Sequence, residues 1–497
     1  MNVFGETLTM GNAMFLFLAL GLALSFEFVN GFHDTANAVA TVIYTHSLKP
    51  MVAVVWSGCW NLIGVLTSSG GVAFGILALL PVELVLNVGS GAGFAMVFAL
   101  LTSAIIWNLG TWYLGLPASS SHALVGSIMG VGLANSLLAP GHVFGEGVNW
   151  AKAQEVGTAL LVSPIVGFVC AGLLLLLMKV VIKNKALYDA PDKEKGPPLW
   201  IRSLLILTCT GVSYGHGSND GQKGMGLIML ILIGILPTTF AVDLGTGQQS
   251  IQQLAETTGT IASQMDQVVG GGVAMAGGAV AEGELSDYLK TTGKDTPRTY
   301  AAIGTKCREI SDLIGGKSAL TDLASDQRRT LRSDLYLTSE AMKKLNKNHK
   351  LDDPALQKSA VALAGRMDKV TKFIPVWVKV AVAIALGLGT MIGWKRIVVT
   401  VGEKIGKSHL TYAQGAAAEI VAAGTILAAD HYNLPVSTTH VLSSGVAGAM
   451  AANHSGLQME TLRNLLMAWV LTLPVTVLLG AGLFAFVLNV LLRLGIK

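Results

Sequence analysis

Apolar runs almost free of charge recur along this chain and limit what it can fold into more than any other feature. They include Met14 to Val29, Ser90 to Leu114, Thr158 to Met178 and Leu465 to Leu492. Such runs match the roughly 20 apolar residues that carry a helix across a ~30 Å hydrocarbon core. The chain therefore reads as a polytopic membrane protein. Only 13% of its residues are charged and its mean hydropathy is +0.58, whereas soluble domains carry about 25% charge. Ordinary soluble enzymes and nucleic-acid binders are excluded on that ground, and a net charge of +4 adds no case for a nucleic-acid partner. Cys59, Cys170, Cys209 and Cys307 form no CxxC or CxH spacing, so neither a disulfide framework nor a zinc site is expected.

The charges that exist are concentrated. Residues 241–372 hold 17 of the 34 Lys/Arg and 16 of the 30 Asp/Glu, a hydrophilic block inside a more apolar body. No Lys or Arg precedes Lys49, so the positive region of a cleaved signal peptide is missing and the first span is expected to stay as a helix. The charge-bias rule puts an uncharged N-terminus outside, and Lys179, Lys183, Lys185, Lys193 and Lys195 inside. The block is too long for that rule to place.

Self-comparison divides the chain. Asn30 to Ala38 (NGFHDTANA) aligns with His216 to Gly224 (HGSNDGQKG) at an offset of 186. Leu116 to Leu124 aligns with Leu434 to Leu442 at 318, both copies reading Leu-Pro-x-Ser-(Ser/Thr)-(Ser/Thr)-His. The offsets differ by 132, the length of block 241–372, so one insertion reconciles them. The expected domains are a first membrane repeat (1–178), a linker (179–198), a second repeat in two parts (199–240 and 373–497) and the insertion (241–372). Two homologous halves in a membrane point to a carrier, because repeats can exchange inward-facing and outward-facing states around a midplane site.

Both motif pairs are polar within apolar surroundings, where polar groups are expensive and usually functional. In the hydroxyl motifs the proline ends one segment, and Ser119, Ser120 and Ser121, or Ser437, Thr438 and Thr439, start the next helix as N-caps. A helix start presents free N–H groups and a positive dipole end, and the hydroxyls add donors, so the pair forms an anion seat. The bland alternative is that the hydroxyls only satisfy a broken backbone. His122 and His440 follow directly and either orient the loop or take a proton.

The first motif pair brings acids. Asp34 and Asp220 occupy one repeat position, with Asn30, His33 and Asn37 around the first and His216, Asn219, Gln222 and Lys223 around the second. Carboxylates with amide oxygens suit a small cation or an exchangeable proton, and buried carboxyls hold protons more tightly. An internal ion pair or a helix cap is the bland reading. Lys223 either neutralises Asp220 or meets an anion. Glu27 and Glu419 are relay candidates, whereas Glu83 and Asp430 read as segment ends. Glycines from Gly211 to Gly226 mark a segment that is unwound or closely packed. Trp56, Trp60, Trp107, Trp112, Trp377 and Trp394 read as interface anchors or packing residues. No P-loop, HExxH or nucleophile elbow occurs, so no catalytic residue is assigned and no enzyme is expected.

With these residues in view, the sequence resembles the PiT family of inorganic phosphate transporters, and within it the low-affinity branch of enteric bacteria. The resemblance rests on Gly31-Phe32-His33-Asp34-Thr35-Ala36-Asn37-Ala38, on His216 to Gly226, and on Pro117 to His122 with Pro435 to His440. It implies an all-α polytopic fold of about 10–12 transmembrane segments, with inverted-topology repeats and re-entrant hairpins. It also implies phosphate held by Ser119–Ser121, Ser437–Thr439, Gln222 and Lys223. Coupling ion or proton falls to Asp34, Asn37, Asn219 and Asp220, with Asn30, His33, His216 and Glu419 as further candidates. Asp34 and Asp220 are also the candidate ligands of a metal. Many members have Asn where this chain has His33, which removes an oxygen ligand for sodium. The expectation is proton-driven symport of phosphate as a neutral complex with a divalent cation such as magnesium, calcium or zinc, and no permanently bound cofactor. Sulfate transport, sodium coupling and a phosphate-sensing channel are the alternatives. Partners are phosphate, protons, divalent metal and the lipid bilayer, and the reading allows a homodimer. The implied location is a bacterial inner membrane, the N-terminus periplasmic and 241–372 cytoplasmic like the family's large internal loop.

Overall fold

The computed structural model describes residues 1–497 apart from 81–83, 85–87, 139–142, 147, 193–195, 271–272, 274, 276, 291–292, 496–497 and the side chains of 35–37. Glu83, Lys193, Lys195 and the side chain of Asn37 thus lie outside the described residues. The first half comprises α1 (Met10–Tyr44), α2 (Pro50–Thr67), α3 (Gly71–Leu77), α4 (Gly91–Tyr113), α5 (Ser120–Leu138) and α6 (Trp150–Val181). Helix α7 (Leu199–Ile235) opens the second half. The hydrophilic block then forms α8 (Gln248–Val269), α9 (Gly278–Leu289), α10 (Pro297–Ile314), α11 (Ser325–Lys347) and α12 (Pro354–Thr371). The chain closes with α13 (Val376–Ile392), α14 (Lys395–Glu403), α15 (Tyr412–His431), α16 (Thr438–Ala452) and α17 (Met459–Arg493). The paired two-residue strands Asn2–Val3 and Glu6–Thr7 depart from an all-helical reading at the N-terminus.

Among the described residues, seven helices are long and apolar enough to span a bilayer: α1, α2, α4, α5, α6, α15 and α17. The α12–α13 pair, bent by 73°, would make an eighth. This is fewer than ten to twelve because charged groups such as Asp220 and Lys223 interrupt α7, while α13 and α16 have only 17 and 15 residues.

The two halves interlock. Helix α5 packs along α17, and α16 packs along α6, so each hydroxyl-bearing helix rests on a long helix of the other half. Glycines permit the approach. A Cβ on Gly126 would meet Thr476 and the Leu473 carbonyl, and one on Gly448 would lie 2.0 Å from the Phe168 carbonyl oxygen. Helix α7 stays helical through its glycine-rich motif, so close packing explains those residues. A Cβ on Gly217 would lie 2.1 Å from the Asn61 carbonyl oxygen, and one on Gly224 would strike Glu27. Trp107 and Trp112 act as internal ties, donating to Thr472 Oγ1 at 2.9 Å and the Gly393 carbonyl at 2.7 Å.

The block carries its own core, in which Ile261, Met265, Ile303, Leu331, Leu335 and Leu363 are buried together. It leaves and re-enters the membrane body at one place, where Asp243 N donates to the Val370 carbonyl at 2.8 Å. The N-terminus touches the same place. Glu6 Oε1 accepts from Thr239 N at 2.8 Å, the Thr239 hydroxyl donates to the Phe4 carbonyl at 3.1 Å, and Phe4 stacks on Trp377 at 5.6 Å. These contacts put the N-terminus and the block on one face. The expectation of a periplasmic N-terminus with a cytoplasmic block is therefore corrected, because two segments in contact cannot lie on opposite sides of a bilayer.

Candidate functional site

Helices α1 and α7 pack directly against each other and bring the two acidic motifs together at mid-helix. Asp34, His216 and Asp220 are buried, and each offers one ligand atom within 4.8 Å of the others. Asp34 Oδ2 accepts from the Ser120 hydroxyl at 2.6 Å, and Oδ1 accepts from the Thr439 hydroxyl. One carboxylate thus gathers a donor from each hydroxyl motif. Intramembrane hydrogen bonds average only about 0.6 kcal/mol, so these contacts define geometry more than they add stability.

Hydrogen-bond logic identifies the facing atoms. Asn61 Nδ2 donates to Thr390 Oγ1 at 3.2 Å, which leaves Asn61 Oδ1 to accept from His216 Nδ1 at 2.9 Å. With its proton on Nδ1, neutral His216 turns the Nε2 lone pair toward Asp220 Oδ2, 3.5 Å away. Among the described residues, His216 Nε2 has no hydrogen-bond partner. Two acceptors facing each other in a buried site require a cation or a proton between them. His33 repeats the pattern. Thr111 Oγ1 already donates to the Trp107 carbonyl at 3.0 Å, so it accepts from His33 Nε2 at 3.1 Å. His33 Nδ1 then faces Asp34 Oδ1 at 3.4 Å, a gap suited to a shared proton.

Lys223 joins the acids to the hydroxyl motifs. Its Nζ lies 2.8 Å from Asp220 Oδ1 and donates to the Ser121 hydroxyl, which donates to the Val436 carbonyl at 3.0 Å. The six hydroxyls do not act as one set. Ser119 and Ser437 are equivalent N-caps, accepting from His122 N and His440 N, both at 3.2 Å. Ser120 and Thr439 serve Asp34, Ser121 serves Lys223, and the buried Thr438 hydroxyl has no partner among the described residues.

Other expected residues stand beside this cluster. Gln222 is consumed elsewhere: it accepts from Val72 N at 2.9 Å and donates to Asp430 Oδ1 at 2.6 Å. Asn219 holds the hairpin, donating to the Leu434 carbonyl at 3.1 Å and accepting from Val436 N at 3.4 Å. Asn30 donates to Glu27 at 3.3 Å, and Glu27 Oε1 is buried without a partner among the described residues. Glu419 is held by the Thr41 and Thr208 hydroxyls. The repeat mates His122 and His440 meet ring to ring at 4.7 Å, and His440 stacks on Trp469 at 4.1 Å.

Sequence reasoning missed Asn61, Thr390 and Thr111. Asn61 left one signal, as a lone amide in an otherwise apolar helix facing the second acidic motif. Asp430 reads as a segment end in sequence, yet its carboxylate accepts from both Ser218 and Gln222 at 2.6 Å.

Comparison with known proteins identifies the family. The phosphate transporter family profile matches residues 30–480. The low-affinity inorganic phosphate transporter PitA of Escherichia coli K12 is 41% identical over 502 residues, covering 96% of this chain and 97% of that protein. PitB of the same organism is 42% identical over 494 residues with the same coverage. A low-affinity inorganic phosphate transporter from the Buchnera aphidicola of Acyrthosiphon pisum is 40% identical over 488 residues. A solved structure titled the sodium-dependent phosphate transporter shares the fold, with a TM-score of 0.51 and 19% identity, covering 96% of this chain and 99% of that one. The chain is a multi-pass membrane protein that belongs to the phosphate transporter family.

Proposed function

We propose that the chain imports inorganic phosphate by proton-coupled symport, the phosphate travelling as a neutral complex with a divalent cation. Membership of a transporter family already separates it from enzymes. The observation that carries the reading is the facing pair His216 Nε2 and Asp220 Oδ2, with no donor between them among the described residues and with Asp34 beside them. One imidazole nitrogen and two carboxylates suit a divalent transition or hard metal better than sodium, which prefers oxygen alone. Phosphate oxygens complete the coordination and meet Lys223, Ser121 and the unspent Thr438 hydroxyl. In this reading Gln222, Asn219 and Asn30 support the framework, and Glu419 ties α1, α7 and α15 together.

Charge explains the proton. Ionised Asp34 and Asp220 with protonated Lys223 leave one negative charge in a buried site. A neutral metal hydrogenphosphate does not change that sum, but one proton on the His33–Asp34 pair brings it to zero. A neutral loaded site is the least costly one to rearrange within a bilayer. The contact between repeat mates His122 and His440 supports inverted repeats rocking about this centre.

The location follows from charge bias. Helix α1 carries the chain from the N-terminal face to the face of Lys49, Lys179, Lys183, Lys185 and Arg202, where Arg202 donates to the Ser47 carbonyl at 2.8 Å. Short basic loops mark the cytoplasm. The N-terminus and block 241–372 then lie together on the periplasmic face of a bacterial inner membrane. Protease added to intact spheroplasts should cleave the block; protection would reverse this orientation.

Purified protein in liposomes tests the function. An inward proton gradient should drive uptake of labelled phosphate, magnesium or zinc should stimulate it, and a sodium gradient should not replace the protons. Sodium-driven uptake at equal pH would overturn proton coupling. Equal uptake of sulfate would shift the substrate to oxyanions in general.

A further inference from the structure

A cavity of about 320 Å³ lies away from the acidic cluster, between the ends of α1, α4 and α7 and helix α11 of the block. Asn12, Ser90, Arg329, Arg332, Ser333 and Tyr336 supply its polar lining, and no acidic side chain among the described residues lines it. Arg332 is held in place from behind: its Nη1 donates to the carbonyls of Ala241 at 3.0 Å and Thr371 at 2.7 Å. Those two carbonyls stand at the start and end of the block. Among the described residues, neither arginine forms an ion pair with a carboxylate, and the Arg329 guanidinium, the Tyr336 phenol and the Ser333 hydroxyl have no hydrogen-bond partner. Burial, with no carboxylate to oppose it, pulls the Arg332 pKa down to about 10.

Arg332 is partly buried, and a guanidinium held there without a counter-ion is costly. With the exposed Arg329 facing the same cavity and hydroxyl donors between, the pair calls for an oxyanion. A guanidinium fork matches phosphate oxygens in bidentate fashion, and one already pinned to the backbone loses little entropy on binding. The helix ends around the cavity mark the membrane boundary, and Met10 and Met14 beside Asn12 are exposed as lipid-facing residues are. We propose that this junctional cavity is a second phosphate-group site, separate from the acidic cluster, filled by either an anionic lipid headgroup or free inorganic phosphate. Occupancy ties α11 to the ends of α1, α4 and α7 and so links the block to the membrane body.

The test uses the full-length protein with Arg329→Gln and, separately, Tyr336→Phe, neither of which removes a protein–protein hydrogen bond. Native mass spectrometry counts retained phosphatidylglycerol, and equilibrium dialysis counts labelled inorganic phosphate bound per chain. Losing a charge-assisted contact should weaken binding about tenfold or more. A fall in retained lipid in both variants, with phosphate binding unchanged, identifies the headgroup. A fall from two bound phosphates to one identifies free phosphate. Wild-type values for lipid and phosphate in both variants, at unchanged melting temperature, would overturn the site. Arg332→Lys keeps the charge and a donor to the backbone, and should bind better than Arg329→Gln.

Discussion

The Thr439 hydroxyl, at the start of α16, donates to Asp34 within the first long helix, across 405 residues of chain. Ser120, from the other hydroxyl motif, reaches the same carboxylate at 2.6 Å. The first acidic motif is thus read by both hydroxyl motifs at once. The second is read by Lys223 and His216. Motifs that look alike in sequence make different contacts.

Asp34→Asn and Asp220→Asn should each abolish energised phosphate uptake while the protein remains inserted. Thr439→Val removes one donor to Asp34 and should lower uptake about tenfold, the scale of one hydrogen bond to a charged group. Thr438→Val should leave the melting temperature unchanged, because its hydroxyl has no partner, yet raise the KM for phosphate. Wild-type uptake in either aspartate variant would remove them from the transport step.

Helix interlocking predicts steric sensitivity at two glycines. Gly448→Ala puts a methyl 2.0 Å from a backbone oxygen that no rotamer change can move, and Gly126→Ala meets both Thr476 and a carbonyl. Overpacking of this kind costs about 1–3 kcal/mol. Both variants should melt earlier than wild type, whereas Gly424→Ala, with open space around its position, should not.

The insertion has a pH signature of its own. Burial alone would raise the Glu340 carboxyl, but Lys372 at 3.0 Å and Lys343 at 2.8 Å overcome it and hold the pKa at about 2 instead of 4.5. A lowered folded-state pKa contributes stability that is present above 4.5 and lost as pH falls through about 2. The contribution is at most about 3 kcal/mol, reduced by screening because Lys343 is partly exposed. Glu340→Gln should lower the melting temperature at pH 7, and the gap to wild type should narrow on acidification from 4.5 toward 2. A gap that stays constant with pH would refute the ion-pair origin.

Because Asp243 and Val370 are hydrogen-bonded neighbours, the chain ends of the block already meet. Replacing residues 244–369 by a short flexible linker should leave the membrane body folded and transport measurable. Loss of all uptake with normal insertion would mean that the block takes part in the transport cycle.

The apolar runs were enough to read a helical membrane protein, and the two motif pairs were enough to read its family. They sufficed because hydropathy and motif spelling are one-dimensional properties that a bilayer and a binding chemistry write directly into the chain. The helix starts at Ser120 and Thr438 were legible too, since a proline followed by hydroxyls is local chemistry. Pairing was not legible. That Asn61 sets the tautomer of His216, that Gln222 faces Val72 and Asp430 instead of the hydroxyl motifs, and that Ser120 and Thr439 meet on Asp34 depends on which faces of α1, α2, α7 and the hydroxyl-bearing helices meet. The shared face of the N-terminus and the block was equally hidden, because it rests on contacts between Glu6, Phe4 and Thr239. Side-chain direction in three dimensions, set by glycine-permitted helix packing, decided which of the few charged and polar groups became the site.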